Sequence, residues 1–387
     1  MVMESAVLPR DTLFSRLKRL HWGLIAIIFL IVLVGTGLLY GAGAPGGSWE
    51  PYAEKHLTRF VAGLGVAILI AVIDLRHIYR ISYGVYFLAI ILLALVPVIG
   101  VTAMGATRWL DFGILRIQPS ELAKIGIILA LAKYYHTRPL ASVSTIPGIA
   151  IALVMILLPV GLTFIQPDLG TALMLCMVGA GLMFACGVSW KFFALGIAGA
   201  TSMLPVAWHF LKDYQKQRVL TFLDPENDPL GAGYHILQSK IAIGSAGFWG
   251  KGYMEGSQSH LLFLPEKHTD FIFTLLTEDF GMAGALVLMA LYLTLILTNI
   301  GIAVRSRHQY GTALVLGVTL TIFLYAFINM AMVMGLMPVV GVPLPFVSFG
   351  GTALLTLMVS IGLVMNIHVH RNSNLPGAAG LKGSRSF

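Results

Sequence analysis

The sequence predicts an all-α polytopic membrane protein of about ten transmembrane helices, and three observations predict it. Hydrophobic residues make up 57% of the 387 positions and charged residues only 11%, against roughly 25% charged residues in a soluble domain. The apolar residues fall in runs of the length a bilayer core demands, about 20 helical residues each. Lys and Arg sort into alternate loops, which is the signature of membrane orientation.

The elements follow in order. The polar stretch Met1 to Leu20 carries Arg10, Arg16, Lys18 and Arg19 and leads into a full-length apolar run. That run is too long for a signal-peptide core, so it reads as an uncleaved first span. Hydropathy then places spans over 21–42, 57–75, 82–103, 119–135, 145–165, 170–188, 190–210, 270–298, 310–334 and 348–368. The N-terminal tail, alternate loops and the C-terminal tail also hold Arg76, Arg80, Lys133, Arg138, Lys191, Arg305, Arg307, Arg371, Lys382 and Arg385, with only Glu4, Asp11 and Asp74 for acidic company. This face reads as cytoplasmic, with both termini inside. The long polar loop 211–269, between helices 7 and 8, is then extracytoplasmic. The expected organisation is one transmembrane domain over 1–370 and a disordered cytoplasmic tail over 371–387, which is rich in Gly, Ser and Lys.

A formal charge of +8 invites a nucleic-acid reading. The basic excess lies in the inner loops, where orientation explains it, so no nucleic-acid partner is expected. Cys176 and Cys186 are ten positions apart in one apolar run, roughly 15 Å along a helix, too far for a disulfide. No metal-ligand spacing is present.

Five polar constellations interrupt this apolar chain. The first runs from Arg108 to Lys124. Pro119 suits a first helical turn, and Glu121 and Lys124, three apart, share a face as a structural ion pair or as functional groups at depth. The second is Gln166-Pro167-Asp168-Leu169-Gly170, where Asp168 caps a helix or lines an outer cavity. The third lies in the long loop, where Arg218 and Lys240 can grip phosphate and residues 231–244 form an amphipathic stretch suited to a surface helix. The fourth is Leu264-Pro265-Glu266-Lys267-His268-Thr269-Asp270-Phe271, with Glu278 and Asp279 two turns further on. Asp270 is either a first-turn acid or a general base. Carboxylates at the lip of a span can meet a lipid headgroup, which points to chemistry on a lipid-linked substrate. The fifth is Pro343-Leu344-Pro345-Phe346-Val347-Ser348-Phe349-Gly350-Gly351, a helix-breaking segment that packs inside the protein or walls a cavity.

Taken together and in this order, Gly105-Ala106-Thr107-Arg108-Trp109, Gln118 to Lys124, Gln166 to Gly170, Phe263 to Phe271 and Pro345 to Gly351 resemble the SEDS family, the shape, elongation, division and sporulation proteins. The match runs from the first span to Asn366. Within the family the chain looks most like the elongation member, on Gly256 to His260 and the short N-terminal tail. The resemblance implies a ten-helix peptidoglycan glycosyltransferase that joins lipid II disaccharides into β-1,4 glycan strands at the outer face of the bacterial cytoplasmic (inner) membrane. It implies a class B penicillin-binding protein, a monofunctional transpeptidase, as membrane partner beside other elongation-complex proteins. Asp270 occupies the position of the family's essential aspartate, and Glu121 and Lys124 match its functional pair. Phe349 stands where many members carry Tyr.

The chemistry that fits is an inverting displacement with Asp270 as general base. Arg108, Lys124, Arg218 and Lys240 would face the departing pyrophosphate, and Glu121, Asp168, His268 and Ser348 would complete the substrate-binding set. No metal ligand is assigned; a divalent cation, Mg or Mn, accompanying the pyrophosphate stays open. Two rival classes remain: a lipid II flippase or other transporter, and a scaffold that recruits a transpeptidase. A transport path should be polar from both faces, whereas here the ionisable groups within spans gather toward the outer one.

Overall fold

The computed structural model describes residues 13–43, 47–103, 106–111, 113, 116–210, 213–225, 232–260, 267–373 and 375–377. In chain order the elements are α1 (Leu13–Lys18), α2 (Trp22–Gly43), α3 (Ala53–Val72), α4 (Leu75–Ile99), β1 (Val101–Ala103), β2 (Ala106–Asp111), β3 (Arg116–Ile117), α5 (Pro119–His136), α6 (Leu140–Val143), α7 (Ile146–Ile165), α8 (Leu169–Ala185), α9 (Trp190–Phe210), α10 (Asp213–Leu223), α11 (Ala232–Ser245), α12 (Ser257–His260), α13 (Ile272–Arg305), α14 (Gln309–Val333) and α15 (Gly351–Val369). Helices α2, α3, α4, α5, α7, α8, α9, α13, α14 and α15 stand where the sequence predicts spans. Among the described residues seven of them are long and apolar enough to cross a membrane. Of the others, α8 is shorter and α5 carries Glu121, Lys124 and Lys133. Glu266 and residues 378–387 of the tail lie outside the described residues.

Three boundaries differ from expectation for physical reasons. Helix α4 starts at Leu75 rather than 82, because the Asp74 carboxylate caps it by accepting the Arg76 N–H at 2.9 Å and the polar turn through Arg80 stands beyond the apolar run. It stops at Ile99, and a three-stranded antiparallel sheet in the order β1-β2-β3 follows, which a single span over 82–103 did not anticipate. Helix α13 continues to Arg305. The loop 211–269 also carries three helices of its own. Within it α11 is anchored in protein. The Ser239 hydroxyl donates to the Val333 carbonyl and pairs with the Thr274 hydroxyl, both at 2.7 Å. It therefore packs on α13 and α14 and is more than a helix lying on a surface.

The packing sorts the charges into two ends. Helix α15 lies along α3, α4 along α5, and α14 between α13, α5 and α8. At one end the Asn366 amide donates to the carbonyls of Ile70 and Ile73, Arg16 donates to the Val72 carbonyl, and Lys133 donates to the Arg80 carbonyl. The Arg- and Lys-rich segments of the sequence meet there. The constellations around Arg108, Asp168, Asp270 and Ser348 lie at the opposite helix ends.

Helix α13 is broken at Gly281, whose backbone (φ 64°, ψ −159°) is open essentially only to glycine. A break in an apolar bundle must return its freed backbone groups to protein partners. The segment 247–252 does so. Met282 N–H donates to the Gly247 carbonyl at 3.1 Å and Ala283 N–H to the Phe248 carbonyl at 2.9 Å, while Glu278 and Asp279 carbonyls accept from Lys251 and Gly252 N–H. A Cβ on residue 281 would stand 2.3 Å from the Gly250 nitrogen and 2.4 Å from the Phe248 oxygen. Gly281→Ala is therefore expected to cost about 3 kcal/mol or more in strain and clash and to lower the thermal midpoint of the detergent-purified protein. Gly301→Ala, on the same helix with open space around it, should gain helix propensity of up to about 1 kcal/mol. Equal midpoints for the two variants would contradict this account.

Candidate functional site

Asp270 closes the turn Lys267 to Asp270 just before α13 and is partly exposed. Its backbone carbonyl accepts from Asn329 Nδ2 at 2.8 Å, and the same amide donates to the Val342 carbonyl at 2.7 Å. One side chain on α14 thus ties the Asp270 turn to the non-helical segment between α14 and α15. A Cβ on Gly341 would come within 3.5 Å of the Asp270 Oδ2, so the carboxylate lies over that segment.

Ser348 and His268 fix the same turn from the other side. The Ser348 hydroxyl donates to the Thr269 carbonyl at 2.6 Å and accepts the Leu344 N–H at 2.8 Å, and Phe349 N–H donates to the His268 carbonyl at 2.9 Å. The His268 ring stacks on Tyr52 at 4.2 Å between centroids. Phe349 meets Tyr52 edge-on, with the Arg59 guanidinium 4.9 Å above its ring. Phe346 adopts a left-handed backbone (φ 62°), which costs a non-glycine residue about 1–2 kcal/mol. His56 Nε2, donating to the Phe346 carbonyl at 3.2 Å, helps hold it there.

Glu121 and Lys124 pair as their spacing predicts, with Lys124 Nζ 2.5 Å from Glu121 Oε1. They are 7% and 3% exposed, which makes the pair an interior feature of α5. Tyr325 of α14 completes it. Its hydroxyl donates to Glu121 Oε1 at 2.8 Å and accepts from the Lys124 ammonium. Tyr325 and Asn329 are four apart on α14, hence on one face and about 6 Å apart along the axis. Helix α14 therefore carries the ion pair on one turn and the Asp270 tie on the next.

Asp168 does both things the sequence allowed. It caps α8 by accepting the Thr171 N–H at 3.4 Å and faces Arg108, 3.7 Å away. The other arm of the Arg108 guanidinium donates to the Pro167 carbonyl at 2.7 Å. Two residues on, α8 packs so closely on the segment beneath Asp270 that a Cβ on Gly170 would lie 2.7 Å from the Val340 carbonyl oxygen. Arg108, Asp168, Glu121, Lys124, His268, Asp270 and Ser348 thus surround one junction. Lys240 is exposed and its side chain lies against Gly335, just past α14, where a helix C-terminus favours a cation. Arg218 lies on α10 and its side chain is outside the described residues.

Glu278 and Asp279, which the sequence groups with Asp270, are fully buried and hold the loop. Glu278 accepts from Lys251 Nζ at 2.8 Å and from the Gln258 N–H at 2.9 Å, and Asp279 accepts the Met254 N–H at 3.3 Å. Lys267 is buried nearby. Desolvation pushes its ammonium pKa below the ordinary lysine value, and Asp279 opposes that shift. Sequence reasoning named none of Tyr325, Asn329 and Lys267 as site residues. For Tyr325 and Asn329 the available signal was two polar groups at i and i+4 in an otherwise apolar span. No group of three His, Cys, Asp or Glu side chains that could cage a metal ion occurs among the described residues.

Comparison with known proteins places this junction in context. The chain matches, over residues 15–373, the family of cell cycle proteins that groups FtsW, RodA and SpoVE. It is 44% identical over 346 residues to the peptidoglycan glycosyltransferase MrdB of Escherichia coli K12, covering 89% of this chain and 92% of that one. Its fold superposes with a TM-score of 0.80 and 31% identity on a chain from a peptidoglycan synthase complex that coordinates polymerization and crosslinking, covering 92% of this chain and 99% of that one. The crystal structure of the Thermus thermophilus rod shape determining protein RodA gives a TM-score of 0.70 at 26% identity, covering 92% and 98%. With a family match across almost its whole length and a 44% identical relative, this multi-pass membrane protein belongs to the FtsW/RodA/SpoVE family, the SEDS proteins.

Proposed function

We propose that this chain is a peptidoglycan glycosyltransferase of cell elongation, polymerising lipid II at the outer face of the bacterial inner membrane, with Asp270 as general base. The observation that carries the assignment of Asp270 is its setting. Its carboxylate is partly exposed while its backbone is clamped by Asn329 and Ser348, and an ion pair and a guanidinium surround the same junction. Curated relatives bearing the peptidoglycan glycosyltransferase name, such as MrdB, supply the reaction class.

The reaction breaks the bond between the donor's anomeric carbon and its pyrophosphate and forms a bond from that carbon to the acceptor's 4-hydroxyl oxygen. Asp270 takes the hydroxyl proton as attack proceeds. The electron pair leaves on the undecaprenyl pyrophosphate, whose charge Arg108 and Lys124 are placed to attract. Attack from the face opposite the leaving group inverts an α-linked donor to a β-1,4 linkage. In this reading His268 and Ser348 act mainly by positioning Asp270, and Arg218 and Lys240 of the long loop meet the headgroup from outside. The described residues offer no metal cage, so no step is routed through one. A Mg or Mn ion, if required, rides on the substrate pyrophosphate, which a chelator titration of the purified enzyme reads. The solved complex that this fold matches supports a class B penicillin-binding protein as partner.

Asp270→Ala and Asp270→Asn should each abolish glycan polymerisation from lipid II by purified protein, a loss of at least about a hundredfold for a general base, with an unchanged thermal midpoint. Turnover by Asp270→Asn at the normal rate would sink the proposal. Polymerisation in detergent, where no sidedness exists, also excludes a flippase or a mere scaffold.

The buried pair makes a separate prediction. Removing one member strands the other charge, which costs about 3–5 kcal/mol. Lys124→Met should therefore destabilise the protein more than the double variant Lys124→Met, Glu121→Gln does. A thermal double-mutant cycle measures it, and strict additivity would show the pair to be uncoupled.

A further inference from the structure

A cavity of about 450 Å³ opens at the end of the bundle away from Asp270. Helix α15 sets the separation. It begins just after Phe349, which is bonded to His268, and runs 19 residues to Val369, roughly 28 Å at 1.5 Å per residue. The cavity is lined by Lys18 and Arg19 from the start of the chain and by His368, His370 and Arg371 from its far end, and no Asp or Glu lines it. Segments about 350 positions apart in sequence thus bring five basic or imidazole side chains around one hollow. The His21 ring packs edge-on against His368 at 4.9 Å, and Arg305 and Arg371 both bear on His368 electrostatically.

Two ordinary causes account for cations at this end: the orientation rule and the carbonyl end of α15. Neither accounts for their enclosure. Like charges gathered around a concave surface repel one another unless an anion sits among them, and the field there is focused by the low-dielectric wall. The surroundings say where that anion comes from. Helix α1 exposes Leu13, Phe14 and Leu17 beside Arg16 and Lys18, and Trp22 at the start of α2 is 59% exposed. Apolar and basic side chains presented together at the end of the spans are what a membrane–water interface receives.

We propose that this cavity binds the headgroup of an anionic phospholipid, its phosphate seated among Lys18, Arg19 and Arg371 and its acyl chains lying along the exposed apolar residues of α1 and α2. Basic pockets between transmembrane helices are a recurrent solution for such headgroups. The site is distinct from the junction around Asp270.

The test uses the purified full chain and native mass spectrometry against dioleoyl phosphatidylglycerol, tetraoleoyl cardiolipin, dioleoyl phosphatidylcholine and inorganic phosphate. Phosphatidylglycerol and cardiolipin should be retained at least about tenfold more tightly than phosphatidylcholine, and the triple variant Lys18→Gln, Arg19→Gln, Arg371→Gln should lose about tenfold or more of that affinity. The pair Lys133→Gln, Arg138→Gln does not line the cavity and should leave it unchanged. Should the triple variant fail to fold, the exposed Arg371 decides alone, since Arg371→Lys should keep binding that Arg371→Gln weakens. Equal retention of phosphatidylcholine, wild-type binding by the variants, or an equal loss in the control pair overturns the proposal. Inorganic phosphate displacing the lipids at equal concentration also overturns it, by showing a site for a free anion.

Discussion

A broken helix in an apolar bundle has to hand every freed N–H and C=O to another part of the protein, and the candidate site is built from that obligation. Three non-helical segments meet around Asp270: 247–258, 267–271 and 334–350. Each satisfies its neighbour. Segment 247–252 completes the hydrogen bonds lost at Gly281. Asn329 divides its amide between the Asp270 and Val342 carbonyls, and Ser348 bridges Leu344 to Thr269. An unmet peptide group in hydrocarbon costs several kcal/mol, so these few side chains hold the carboxylate's backbone far more firmly than a solvated loop would. The rigidity that a general base needs is a by-product of making irregular backbone tolerable at that depth.

The ion pair of α5 obeys a different economy. Burying Glu121 and Lys124 costs desolvation that their attraction only partly returns, and apolar residues of similar volume serve stability as well or better. The Tyr325 hydroxyl fills remaining hydrogen-bonding capacity on both partners, which makes the pair bearable without making it a stabilising device. Its place on α14, one turn from Asn329, suggests what it is for: a charge held at fixed distance from Asp270 by a single rigid helix.

Much of the fold was legible because hydropathy reports the solvent of each segment directly. Ten apolar runs became ten helices, and the Lys and Arg pattern matched one end of the packed bundle. The errors fell where hydropathy and helicity part company. The α4 helix begins in a polar turn that Asp74 caps, and the strands after Ile99 lie in residues apolar enough to read as span. In the site, Glu121 with Lys124 and the double character of Asp168 followed from spacing and capping rules. Tyr325 and Asn329 did not, because a lone hydroxyl or amide within a long apolar run has no partner that a sequence reveals. Their partners lie some 200 and 59 positions away, brought near only by packing. Glu278 and Asp279 misled for the converse reason. Their nearness to Asp270 in sequence suggested shared chemistry, but one helix break turned them toward the loop.

That break also explains why the polar loop is so long and so specific in composition. The loop has to reach back to α13, present Lys251 to Glu278, supply N–H groups at Gly252, Met254 and Gln258 to buried acceptors, and still deliver Lys267 to Asp270 in register with Ser348. Glycines at 250 and 252 with positive φ let it turn tightly enough to do so. The loop therefore bears on the candidate catalytic carboxylate through backbone geometry, by setting where α13 begins, with no need for its residues to touch the substrate. Substitutions there would act on activity by displacing Asp270, while those in α14 would act by loosening what clamps it.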